Sequence, residues 1–145
     1  MALQEPERLR DVDTSAVVPL SLDDLPALQR LYASSYPGNA FDPRMLQTGH
    51  TYGLWRDGKI VSVAGIHVYS AHYRVAALGN IATHPDYRGQ GLATAVTAHA
   101  CQKLLETVDH IGLNVRADNE PAVACYRRLG FKVIADYIEA MLVHI

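Results

Sequence analysis

Between Gly79 and Thr94 the chain passes from strand to helix through a turn that leaves the backbone few choices. Tyr73 to Thr83 is apolar on both faces, through Val75, Ala77, Leu78 and Ile81, which predicts a central strand. His84-Pro85-Asp86 marks a tight connection. Gly89-Gln90-Gly91 then stands at the mouth of a helix expected from Gly91 to about Val108, along which Leu92, Val96, Ala100 and Leu104 recur at i, i+4 spacing. A helix N-terminus presents unpaired N–H groups and a partial positive charge, and glycine lets an anion come close to the backbone. The stretch reads as a pyrophosphate cradle with Arg88 beside it. It is not a P-loop, because no Gly-x-x-x-x-Gly-Lys-Ser/Thr occurs in the chain. Nor is it a dinucleotide fingerprint: Gly89-x-Gly91 is followed by Thr94 rather than a third glycine, and the strands before it form a meander.

The elements around this stretch set the fold class. Ala16 to Leu20 is a short strand candidate. Leu25, Leu28, Leu31 and Tyr32 follow a half-buried helical period, with Asp23 expected as N-cap so that Pro26 falls in the first turn. Asp42-Pro43 opens a second short helix ending near Thr48-Gly49. His50 to Arg56 and Lys59 to Ser70 read as the arms of a hairpin on Asp57-Gly58. Downstream, Ile111 to Arg116 is a strand. Asp118-Asn119 caps a helix with Pro121 in its first turn, which runs to Leu129 and stops at Gly130, and Lys132–Asp136 and Tyr137–Val143 close the sheet. A meander followed by strand–helix–strand–helix units makes an α+β domain with a mixed sheet. Residues 1–15 are charged and lack an apolar period, so they are expected to be a flexible tail or linker remnant, with 16–145 forming one domain.

Composition narrows the function classes. With 13 Lys+Arg against 15 Asp+Glu the net charge is −2, which supplies no field for a nucleic-acid backbone. Cys101 and Cys125 are too few for a disulfide framework, no His/Cys/acid cluster has metal-ligand spacing, and no apolar run approaches the ~20 residues of a membrane span. The expectation is a soluble cytoplasmic protein without metal, membrane or nucleic-acid partner.

Arg88-Gly89-Gln90-Gly91-Leu92-Ala93 resembles the Arg/Gln-x-x-Gly-x-Gly/Ala acyl-CoA signature of the GNAT N-acetyltransferase superfamily. Asn119 to Phe131, with Ala122, Tyr126 and Gly130 in step, resembles that superfamily's Asn-x-x-Ala-x-x-x-Tyr-x-x-x-Gly-Phe block, and the two blocks occur in the family's order. The resemblance covers the chain from about Ala16 onward. It implies a mostly antiparallel central sheet flanked by helices, splayed between the fourth strand (Tyr73–Thr83) and the fifth (Ile111–Arg116). It also implies an enzyme that moves an acetyl group from acetyl-CoA to a primary amine, on a small molecule or a peptide, by direct attack in a ternary complex.

On that resemblance, backbone groups of Ile81, Ala82 and Thr83 would pair with the pantetheine arm. The N–H groups and side chains of Arg88, Gly89, Gln90, Gly91, Leu92, Ala93 and Thr94 would hold the pyrophosphate, and Asn114 and Asn119 would bond to the arm. Tyr126 would protonate the leaving thiolate, a role for which a phenol, ordinarily neutral at pH 7, is suited. One departure stands out. Many relatives carry a carboxylate near the start of the central strand as general base, whereas Val75-Ala76-Ala77-Leu78 has no titratable side chain. His67, His72 and Glu139 are the substitutes, and the base is left unassigned. Tyr32, Tyr36, Phe41, Tyr52 and Tyr69 are candidates to line an acceptor groove. A non-catalytic acyl-CoA-binding module, a longer acyl donor and a homodimer are the alternatives left open.

Overall fold

Asp57 and Gly58 both take positive φ, 54° and 76°. That geometry turns a chain back on itself with the twist its two arms already have. In the computed structural model, which describes residues 1–36 and 41–134, this turn joins β3 (Tyr52–Arg56) to β4 (Lys59–Ser70). β4 returns as β5 (Val75–Thr83), completing the expected antiparallel meander. At one edge β2 (Val18–Pro19) pairs with β3. On the other side β6 (His110–Leu113) runs parallel to β5.

Three helices cover the two faces. α1 (Leu25–Ser35) buries Leu28, Leu31 and Tyr32 against Leu20, Leu46, Ile60, Val63 and Ala82. α2 (Leu92–Leu104) and α3 (Glu120–Arg128) pack with the larger cluster, which includes Val61, Ile66, Ala76, Leu78 and Ile111. Adjacent residues Ile60 and Val61 serve opposite faces, at a bulge where Leu54 pairs with Ser62 but Trp55 with Ile60. Each fully buried Leu, Ile or Val contributes roughly 1.5–3 kcal/mol. The start of α1 differs from expectation. Asp24, not Asp23, stands at the N-cap of α1 and makes no side-chain cap bond; Ser21 instead caps the 3-10 turn Leu22–Asp24 before it, its hydroxyl accepting from the Asp23 amide while the Asp24 carboxylate accepts from the Ser21 amide at 2.9 Å. Pro26 still falls in the first turn of α1.

Residues 1–15 are no tail. Ala2–Leu3 forms a strand, β1, lying between β6 and β7 (Phe131–Lys132) and antiparallel to both. The sheet order is β2-β3-β4-β5-β6-β1-β7. The next turn, Pro6–Asp11, buries Leu9 to 2% exposure, and the Gln102 side chain donates to the Leu9 carbonyl at 3.2 Å. Gly130, with φ of 101°, lets this segment cross: a Cβ there would collide with the Glu5 carbonyl. Too short to show a period, the segment is held by strand pairing, the buried Leu9 and the Gln102 hydrogen bond, which only tertiary packing supplies. The anticipated last strand, Tyr137–Val143, lies outside the described residues.

Candidate active site

The β5–β6 ladder runs from Val75–His110 to Leu78–Leu113 and stops there, while β5 continues to Thr83. From Gly79 onward β5 keeps β4 on one side and, among the described residues, no strand on the other. This is the expected splay. Ile81 packs toward the cluster under α2 and Ala82 toward that under α1, while the Thr83 hydroxyl lies 3.0 Å from that of Ser62. The backbone of all three lies along the open stretch.

Two bulges shape this stretch. Val63 pairs with Ala82 but Gly65 with Gly79, so β5 carries an extra residue; Ile66 pairs with Leu78 but Val68 with Ala77, so β4 carries one at His67. Asn80 takes a φ of 51° within the first bulge, and its carbonyl accepts from the Tyr32 hydroxyl at 2.7 Å. Bulges re-aim side chains and backbone groups, and here they act at the end of the ladder.

The turn after β5 behaves as its sequence predicts. His84 Nδ1 accepts from the Asp86 amide at 3.1 Å, which is turn chemistry, and Arg88 Nε donates back to the Thr83 carbonyl at 3.3 Å. Gly89 and Gly91 have φ of 79° and 78°, and no described atom lies within 4 Å of where a Cβ would stand on either. The first intrahelical bond of α2 is Ala95 N–H to Gly91 O, at 3.1 Å. The N–H groups of Leu92, Ala93 and Thr94 are therefore left over by the helix and open beside an exposed Gln90, so the residues present fit a pyrophosphate. Leu92 is buried in the core, and the Thr94 hydroxyl lies 3.2 Å from Cys125 Sγ.

Asn114 is exposed and is the first residue past β6, on the strand that parts from β5. Asn119 is exposed too, but its Oδ1 caps α3 by accepting from the Ala122 amide at 3.4 Å. Tyr126 is 7% exposed and meets Phe131 edge-on at 6.1 Å. Burial pushes its phenol well above the ordinary tyrosine range, and Cys125 and Tyr36 add to the rise. Among the described residues the sealed polar side-chain atoms without partners include Thr51 Oγ1, Thr97 Oγ1 and His99 Nδ1. Burial also raises the Cys125 thiol, and pushes Cys101 up to about 12, as expected of small buried hydrophobes.

The five aromatic groove candidates divide. Tyr32 stacks on Phe41 at 5.1 Å under α1, and Tyr36, at the end of that helix, acts electrostatically on both Tyr32 and Tyr126. These gather at the splay. Tyr52 and Tyr69 belong to the other cluster, with His50 and His99: the Tyr52–His99 rings are 4.9 Å apart and the His50–Tyr69 rings 4.6 Å. Sequence reasoning missed the tie from Tyr32 to Asn80; a helical tyrosine facing a polar residue in an otherwise apolar strand was its only local sign. Among the described residues no group of His, Cys, Asp and Glu could hold a metal ion.

A parted strand edge beside a helix end with unpaired N–H groups suits a donor with a peptide-like arm and a pyrophosphate, and the fold's family makes the protein an acyltransferase. The family model for the GNAT acetyltransferases matches residues 19–131, and the chain belongs to that family. It is 34% identical over 117 residues to the ribosomal protein bS18-alanine N-acetyltransferase of Escherichia coli, covering 77% of each chain. The solved structure of the Escherichia coli ribosomal-protein-alanine N-acetyltransferase superposes with a TM-score of 0.65 at 29% identity, over 80% of this chain and 76% of that one. A GNAT-family acetyltransferase from Colwellia psychrerythraea shares the fold, with a TM-score of 0.76 at 16% identity over 90% of this chain and 52% of that one.

Proposed function

We propose that this enzyme is an N-acetyltransferase that takes its acetyl group from acetyl-CoA and delivers it to a primary amine, the amino group of an alanine in a protein or peptide. The end of the β5–β6 ladder at Leu78–Leu113, beside the unpaired N–H groups of α2, carries the reading. The alanine acceptor is drawn from the relatives named above.

Acetyl-CoA, when bound, supplies an activated thioester. The edge of Ile81, Ala82 and Thr83 offers strand-like hydrogen bonds to an amide-containing arm. Gly89 and Gly91 clear the approach to the N–H groups of Leu92, Ala93 and Thr94, with Gln90 and Arg88 at the rim. Asn114 stands on the opposite lip, and Asn119 keeps its amide N–H₂ for the arm after its oxygen has capped α3. A backbone N–H of the Asn80–Ile81 bulge stabilises the negative charge that develops on the carbonyl oxygen. Tyr126 holds its proton because burial disfavours the phenolate, and gives it to the departing sulfur.

The test is incubation with acetyl-CoA and an alanine-initiated hexapeptide. Thiol release together with an acetyl group on the peptide's amino end, read by mass spectrometry, is the expected result. Tight binding of acetyl-CoA with neither product would overturn the reading.

A further inference from the structure

Attack on a thioester needs a neutral amine, and a primary amine is mostly ammonium at neutral pH. Some group at the splay must take that proton, yet neither β5 nor β6 carries a carboxylate. Of the three substitutes that the sequence offers, Glu139 lies outside the described residues. His72 sits in the turn before Val75, edge-on to Tyr73 at 4.8 Å. At about 3.3 Å per residue along β5, that turn is more than about 10 Å from Gly79.

His67 is placed differently. It is the extra residue of the β4 bulge, it is exposed, and its imidazole lies against Gly79, the first residue of β5 beyond the paired ladder. A Cβ on Gly79 would collide with the ring at Cδ2 and Nε2. The ring is on the α1 side of the sheet. A Cβ built on Gly65, two residues earlier on β4, would meet the Gly79 carbonyl oxygen at 2.9 Å, Asn80 Cβ at 3.7 Å and the Tyr32 hydroxyl at 3.8 Å, which puts this face on the α1 side. The ionisable groups on the elements packed against that face of β4 are Arg30 and Tyr32 of α1, Tyr36 at its end and Arg44 of the Pro43–Thr48 turn, and among the described residues no ion pair engages His67.

We propose that His67 is the general base that deprotonates the acceptor, an inference that rests on the acetyl-transfer reading above. One proton passes from the ammonium to the His67 ring and on to solvent. The freed nitrogen pair forms the C–N bond at the carbonyl carbon, and the C–S bond breaks with its pair leaving on sulfur. Tyr126 protonates the sulfur, and the second proton lost by the nitrogen restores the Tyr126 hydroxyl. Amide, thiol and one released proton balance the ammonium and the thioester. Histidine suits the first step because its charge changes near neutral pH. The bulge turns the ring onto the open edge, and the missing side chain at Gly79 makes the room for it.

The experiment compares wild type, His67→Gln, Gly79→Ala and the double variant, using acetyl-CoA and the alanine-initiated hexapeptide. His67→Gln should lose ~10²–10⁴-fold in kcat/KM at pH 7 while keeping the wild-type affinity for acetyl-CoA. The deficit should shrink above pH 8, where the peptide's own amine begins to deprotonate. Gly79→Ala should push the ring aside and lose activity similarly, and adding His67→Gln to it should cost little more. In long-range ¹H–¹⁵N spectra the His67 ring nitrogens should shift when the peptide is added to CoA-bound protein. Turnover by His67→Gln within about twofold of an active wild type, or ring signals indifferent to peptide, would overturn the role of His67 alone. A wild type inert toward the peptide would overturn the acetyl-transfer reading, and this inference with it.

Discussion

The Tyr32 hydroxyl donates to the carbonyl oxygen of Asn80 across 2.7 Å, from the middle of α1 to the bulge in β5. The bond is buried, and it satisfies a carbonyl that the bulge has turned off the ladder. It joins the helix that ends before Tyr36 to the strand edge proposed to receive the acyl donor.

Tyr32→Phe keeps the ring on Phe41 and removes only the hydroxyl. Leaving the Asn80 carbonyl unpaired should cost ~1–3 kcal/mol of stability, read as a lower denaturant midpoint at unchanged slope. Because the bulge loses its tie, KM for the acceptor should rise as well. A variant as stable as wild type would mean that the carbonyl finds water instead.

Tyr126→Phe should change stability little, since no hydrogen bond from a described residue holds the hydroxyl. Losing general-acid assistance should lower kcat by ~10²–10⁴-fold with acetyl-CoA affinity nearly unchanged. The pH dependence follows from the direction of the shift. A phenol pushed above its ordinary value of ~10 stays protonated further into alkali, so turnover of the wild type should show no fall from loss of this acid up to about pH 10. Normal turnover in the variant would make Tyr126 a packing residue.

Gly91 separates backbone from charge. With φ at 78° and open space around it, Gly91→Asn should fold at a cost of ~1 kcal/mol, because asparagine tolerates the left-handed region. Gly91→Asp places a carboxylate where the pyrophosphate is expected, and acetyl-CoA should bind at least about tenfold more weakly than to the Asn variant, a gap of ~1.4 kcal/mol. Calorimetric titration of both variants checks it; equal affinities would place the phosphates elsewhere.

Leu9→Ala tests the packed N-terminal segment. A side chain 2% exposed should cost ~2–4 kcal/mol on truncation, lowering Tm by several degrees. An unchanged Tm would mean that the segment adds nothing to the stability of the domain.

Much of the architecture was legible because its signals are local. The Asp57-Gly58 turn and the Gly130 stop each depend on φ preference within a few residues, and β4 begins and ends where the sequence places it. Boundaries that depend on partners moved: β6 ends at Leu113 rather than Arg116, and α2 ends at Leu104 rather than near Val108. The glycine turn at the mouth of α2 was legible as well, since Gly89 and Gly91 act through their own backbone.

The sequence by itself determined the meander, the strand-to-helix turn at Gly89-Gln90-Gly91 and the buried face of α2, because each follows from the conformational limits and burial of neighbouring residues. Tertiary structure decided what meets at the splay. Leu113 donates its amide to the Met1 carbonyl at 2.9 Å, Tyr32 reaches Asn80, His67 covers Gly79, and Tyr36 acts on Tyr126. Those pairs are far apart in the chain or depend on a one-residue slip in strand register. No local preference specifies them; they exist only once two helices and a bulged sheet have packed together.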